Sequence, residues 1–115
     1  GDGGDIPENN LEALIASQKR WPQLDSFIMV ADNNAAIKDI SLIKQVNKPV
    51  NIILCGVTDK IHPHYVELAA KTNGRIYTLE AEITDLNKLK LGGRIDIGRS
   101  VYEYRKDGLV KVFDN

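Results

Sequence analysis

Phe27-Ile28-Met29-Val30-Ala31, closed by Asp32-Asn33-Asn34, is the stretch on which the fold turns. An unbroken apolar run of this length is the pattern of a strand covered on both faces, as strands of a parallel sheet are. The Asp and Asn residues behind it are helix-cap chemistry, and Ile37, Ile40, Ile43 and Val46 follow at helical spacing up to Lys48-Pro49. The same order then repeats. Val50 to Cys55 is a second apolar strand, Gly56 to His62 a loop, and Pro63 suits the first turn of a helix whose buried stripe is Tyr65, Leu68 and Ala69. Asn73-Gly74 supplies a left-handed stop, and Arg75 to Leu79 reads as a third strand. Strands alternating with short helices predict an α/β fold, a Rossmann-like parallel βαβαβ unit with right-handed crossovers and α/β/α layers.

Upstream, Asp5-Ile6-Pro7-Glu8 has the spacing of a capping box, and Leu11, Leu14 and Ile15 give the core-facing stripe of the helix it opens. Gln18, Lys19 and Arg20 close that helix before Trp21-Pro22. Downstream, Ile83, Leu86 and Leu89 predict a short helix ended by Gly92-Gly93. Arg94 to Ile97, Ser100 to Arg105 and Leu109 to Phe113 then read as short strands, with Asp107-Gly108 as a two-residue hairpin signal. The expectation is one domain over residues 1–115, in which 83–115 add a short helix and a C-terminal β-hairpin extension to the α/β unit.

A chain of 115 residues buries a core without staples. Lys and Arg number 15 against 16 Asp and Glu, a formal net charge of -1, which offers no field for a nucleic-acid backbone or anionic lipid. No apolar run approaches the ~20 residues of a membrane span, and Gly1 to Asp5 carry no signal-peptide pattern. The lone cysteine, Cys55, excludes an internal disulfide and leaves the compartment open.

Gly3-Gly4-Asp5-Ile6-Pro7-Glu8 opening a helix, a strand ending in Asp32, the strand Val50 to Gly56, and Leu68 to Tyr77 together resemble a von Willebrand factor type A (vWA) domain over roughly residues 1–82. The resemblance is to the C-terminal part of such a domain. The Asp-x-Ser/Thr-x-Ser strand that supplies most of the family's metal-ion-dependent adhesion site occurs nowhere in the chain. What the resemblance implies is a non-catalytic protein-binding module. Asp5, standing where threonine is usual, and Asp32 would be the metal-side residues of an incomplete site, with Mg2+ in a longer parent and no cofactor in this chain alone.

The residues read on their own give a plainer account. Asp5 and Glu8 serve as caps of one helix and Asp32, Asn33 and Asn34 of the next, while the Asp39 carboxylate on that helix faces solvent. His62 and His64 are surface-loop histidines short of a zinc ligand set, and Cys55 is a core cysteine. Two rival functions stand beside the binding module. One is a small hydrolase or phosphoryl-transfer enzyme using Asp32, although no Asp-x-Asp, Walker loop or Gly-x-Ser-x-Gly accompanies it. The other is a structural self-association domain. If the family's central strand is absent, Phe27 to Ala31 becomes an apolar open edge, through which the chain is expected to dimerise or aggregate.

Overall fold

The computed structural model describes residues 11–114. Helix α1 spans Leu11–Arg20 and buries Leu11, Leu14, Ile15 and Gln18, the predicted stripe with one polar residue added. The capping box at Asp5 to Glu8 lies outside the described residues. The N–H groups of Leu11 and Glu12 donate to the Asp39 carboxylate at 2.7 and 3.1 Å. Asp39, expected in solvent, thus places negative charge at the positive end of the α1 dipole. Gln18 ties the other end down, donating to the Gln45 carbonyl at 2.5 Å and accepting from the Asn47 N–H at 3.0 Å.

The strands are β1 (Phe27–Asp32), β2 (Val50–Cys55), β3 (Lys60–Ile61), β4 (Ile76–Tyr77), β5 (Glu82–Ile83), β6 (Arg94–Ile97), β7 (Ser100–Arg105) and β8 (Gly108–Asp114), with helix α2 (Pro63–Thr72) between β3 and β4. They form two four-stranded sheets, β1-β2-β4-β5 and β3-β8-β7-β6. In the first, β1, β2 and β4 are parallel, paired Phe27↔Val50 through Asp32↔Cys55 and Ile52↔Ile76, and β5 folds back antiparallel on β4. The result is a mixed parallel and antiparallel α/β fold. β5 was not expected; a turn held by the Thr78 hydroxyl, which accepts from the N–H groups of Glu80 and Ala81 at 3.2 Å each, shortens the third strand and reverses the chain.

Between β1 and β2 a helix was expected, and a 3-10 helix is found over Ile40–Gln45. The apolar positions Ile37, Ile40, Ile43 and Val46 recur every third residue. That is the period of a 3-10 helix, whereas an α-helix would rotate such a series off its face. Asn73 ends α2 in the left-handed conformation (φ 60°), as predicted. Gly74 beside it touches the Val50 carbonyl so closely that a Cβ would overlap it, which fixes the approach of α2 to β2.

Side chains of β1 alternate. Phe27, Met29 and Ala31 are buried, while Ile28 and Val30 are 67% and 68% exposed. The expectation of a strand covered on both faces, and with it α/β/α layering, does not hold for the described residues. The physical reason is visible in the core, where Leu11 and Leu14 of α1, Ile43 of the 3-10 helix, and Tyr65 and Leu68 of α2 join one cluster with Met29, Ile52 and Ile76. The helices among the described residues all pack on one side of the first sheet.

The C-terminal segment is more than a hairpin. Ile83 enters β5, leaving a 3-10 turn at Leu86–Lys88 where the short helix was expected. β6, β7 and β8 match the predicted strands closely, but the two-residue turn is Lys106-Asp107, one residue ahead of the expected Asp107-Gly108, because Arg105 and Gly108 pair. Gly108 itself opens β8 at φ 119°, against the Ile61 carbonyl, where a Cβ has no room. β3, in the segment read as a loop, pairs with β8 and draws this sheet onto the first; Ile61, Ile97, Tyr102 and Leu109 belong to the same core.

Candidate functional site

At the carboxyl end of β1 the chain turns through Asp32, Asn33 and Asn34. Asp32 Oδ1 accepts from the Asn34 N–H at 2.8 Å, an Asx turn, and its exposed side chain faces Gly56 at the end of β2. Asn33 is 9% exposed and uses both ends of its amide. Its Nδ2 donates to the Lys60 carbonyl at 2.7 Å and its Oδ1 accepts from the His62 N–H at 2.8 Å, so one side chain pins β3 and the start of α2 to the tip of β1. From α2, the Tyr65 hydroxyl reaches the carbonyls of Asp32 and Ala35 at 3.2 and 2.5 Å.

The two histidines belong to this rim. His62 caps α2, its Nδ1 accepting from the His64 N–H at 3.1 Å, and His64 Nδ1 accepts from the Ile37 N–H at 3.0 Å. Both rings therefore present Nδ1 as an acceptor and carry the neutral form's proton on Nε2. They meet edge to face with centroids 4.7 Å apart. Burial lowers the His62 pKa below its ordinary value, and the neighbouring His64 and Lys60 charges lower it further. These are latch groups holding loop to helix, half-buried where exposed loop residues were expected.

Of the predicted metal residues, Asp32 stands at the strand tip, where open α/β sheets bind ligands, and Asp5 lies outside the described residues. Among the described residues no three His, Cys, Asp or Glu side chains group in a way that could hold a metal ion. Asp32, with one oxygen engaged by the Asn34 N–H, does not by itself make the oxygen shell Mg2+ requires. Cys55 is exposed at the end of β2, correcting its assignment to the core, because odd-numbered positions of β2 point away from the helices. A nearby cleft lined by Leu54, Gly56, Thr78, Ile97 and Tyr102 holds about 170 Å³. That is below the ~300 Å³ at which small-molecule pockets begin.

The largest anomaly is the side of the first sheet that the described residues leave uncovered. Ile28, Val30 and Ile53 (42% exposed) stand with Tyr77 on one face, and Ile28, Asn51, Ile53 and Tyr77 line an open apolar groove of about 420 Å³. Sequence reasoning placed these residues in a buried layer and so missed them as a surface; only the count of helices available to cover two faces could have flagged it. No helix among the described residues is long and apolar enough to cross a membrane. Comparison with protein-family models, curated proteins and solved structures yields no match.

Proposed function

We propose that this chain is a non-catalytic protein-binding module, the C-terminal portion of a vWA-like, Rossmann-like sheet that works by docking polypeptide on its uncovered side. The observation that carries the reading is the apolar face of Ile28, Val30, Ile53 and Tyr77, since parallel strands are ordinarily covered on both faces. Net charge near zero favours protein over nucleic acid as the partner. Mg2+ enters only where a longer chain brings further oxygen ligands to Asp5 and Asp32; the described residues do not fit the ion alone. The Asx turn of Asp32 and the capping geometry of the rim account for the polar side chains there without catalysis.

Turnover of phosphatase and esterase substrates, with and without Mg2+, tests the reading against the enzyme alternative. The expectation is no activity above that of Asp32→Ala; turnover that disappears in that variant would overturn it. The same open side of β1 favours self-association as the second reading, for which sedimentation across a concentration series is the measurement.

A further inference from the structure

We propose that segment 33–39 is a proton-released strap, held on α2 only while the rings of His62 and His64 are both neutral and freed locally by acid while the sheet stays folded.

The segment has no regular structure of its own. It leaves β1 and reaches the 3-10 helix without forming a helix or strand. Its ends are anchored, Asn33 by its N–H on the Cys55 carbonyl and Asp39 by the N–H groups of Leu11 and Glu12. Between them the ties to α2 are made by side chains. The Tyr65 hydroxyl reaches the Ala35 carbonyl at 2.5 Å, and His64 Nδ1 accepts from the Ile37 N–H at 3.0 Å, where the Ile37 side chain enters the core.

Both histidines hold as acceptors. His62 Nδ1 takes the His64 N–H at 3.1 Å and so fixes the first turn of α2, from which His64 reaches Ile37. An imidazolium carries a proton on each nitrogen and accepts nothing. Protonating either ring therefore points one donor at another, and the contact turns from attraction to repulsion.

The surroundings do not offset that charge. The two ring centroids lie 4.7 Å apart, so a proton on each sets like charges face to face, and Lys60 of β3 adds a further cation beside His62. Tyr65 of α2 meets the His62 ring edge to face at 5.7 Å and turns its hydroxyl to the strap. Among the described residues no carboxylate pairs with either ring. Asp32 serves the Asn34 N–H, Asp39 serves α1, and Asp59 faces Lys111. Burial, then His64 and Lys60, lower the His62 pKa; its hold on α2 is therefore full above pH 6.5 and is lost as the pH falls toward the lowered value.

Release stays local because the sheet uses neither ring. β1 remains paired with β2 from Phe27↔Val50 to Asp32↔Cys55. Segments held by a few side-chain contacts open at lower free energy than paired core strands. The strap begins at the tip of β1, the end at which open α/β sheets take ligands, so acid alters that end and leaves the strands in place.

Native-state hydrogen exchange of the 15N-labelled protein tests the strap. Between pH 7.5 and 5.5 the protection of the Ile37 amide, corrected for the intrinsic rate at each pH, is expected to fall by about tenfold or more. Low urea is expected to leave Ile37 exchange unchanged while speeding that of the Ile52 amide, bonded within the sheet to the Arg75 carbonyl at 2.8 Å. The double variant His62→Asn with His64→Asn puts amide oxygens, which bind no proton, where the two Nδ1 atoms stand. Its Ile37 protection is expected to be the same at both pH values. Should that variant fail to fold, the imidazole 15N shifts of the unaltered protein carry the test, with the Nε2–H tautomer expected at both histidines at pH 7.5. The proposal is overturned by Ile37 protection indifferent to pH, by Ile37 and Ile52 responding alike to urea, by a pH dependence that persists in the double variant, or by an Nδ1–H tautomer at either ring.

Discussion

Asn33 spends its whole amide on two backbone partners, the Lys60 carbonyl and the His62 N–H, in a nearly buried position. Asn33→Ala leaves both without a partner and is expected to destabilise the fold by about 1–3 kcal/mol, read from urea midpoints; a cost under ~0.5 kcal/mol would show that water replaces the amide freely. His62 adds a pH dependence. Its pKa is lowered in the folded protein, chiefly by burial, so between that value and the unfolded one of 6.5 the unfolded chain binds more protons. Its contribution to stability is therefore full above pH 6.5 and is lost as pH falls toward the lowered value. His62→Asn is expected to flatten the stability profile between pH 7.5 and 5.5, and an unchanged slope would contradict the latch. The sequence reads Asp-Asn-Asn as the cap of the next helix, whereas the 3-10 helix starts from Asp39 and Asp32 makes an Asx turn. That the stretch is turn chemistry was legible. Which of the three reaches α2 was not, because the partners lie some thirty residues on and only the folded sheet brings them together.

Elements with local causes were readable, and those made by distant pairing were not. β1, β2, β6, β7 and the Asn73 stop follow from apolar runs and turn residues that act within a few positions. β3 and β5 are two residues each, too short for any periodicity, and exist because β8 and β4 offer them a ladder. The strict three-residue spacing from Ile37 to Val46 did hold the answer for the 3-10 helix, once period three is distinguished from 3.6. Asp39 is the case that no local reading reaches, a side chain ahead of the 3-10 helix whose work is on α1. Asp39→Ala is expected to cost about 1 kcal/mol by removing the carboxylate that the Leu11 and Glu12 N–H groups donate to, with Asp39→Asn losing less. Equal stability of all three proteins in urea titration would remove Asp39 from the account of α1.

At the scale of the molecule, one-sided coverage makes neighbouring residues unequal. Ile52 is fully buried and Ile53 is 42% exposed, although both are isoleucines of β2. Ile52→Ala is expected to cost about 2–5 kcal/mol, and Ile53→Ala well under half of that, because only the first opens a cavity. A smaller effect at Ile52 than at Ile53 would mean that the sheet is covered on the other side. The two sheets, by contrast, stand or fall together. Ile61, Tyr102 and Leu109 pack in the same cluster as Leu14, Ile52 and Ile76, and the Tyr102 hydroxyl reaches across to the Thr58 carbonyl at 3.3 Å. A C-terminal hairpin merely appended to a finished unit would unfold first on heating. A shared core predicts one cooperative transition, in which Trp21 fluorescence beside α1 and backbone signals from β7 and β8 change at the same temperature. Tyr102→Ala, by opening that core from the second sheet, is expected to lower the transition seen by Trp21 as well. Separate transitions, or a Trp21 signal indifferent to Tyr102→Ala, would divide the chain into two units and confine the role of β3 to a surface contact.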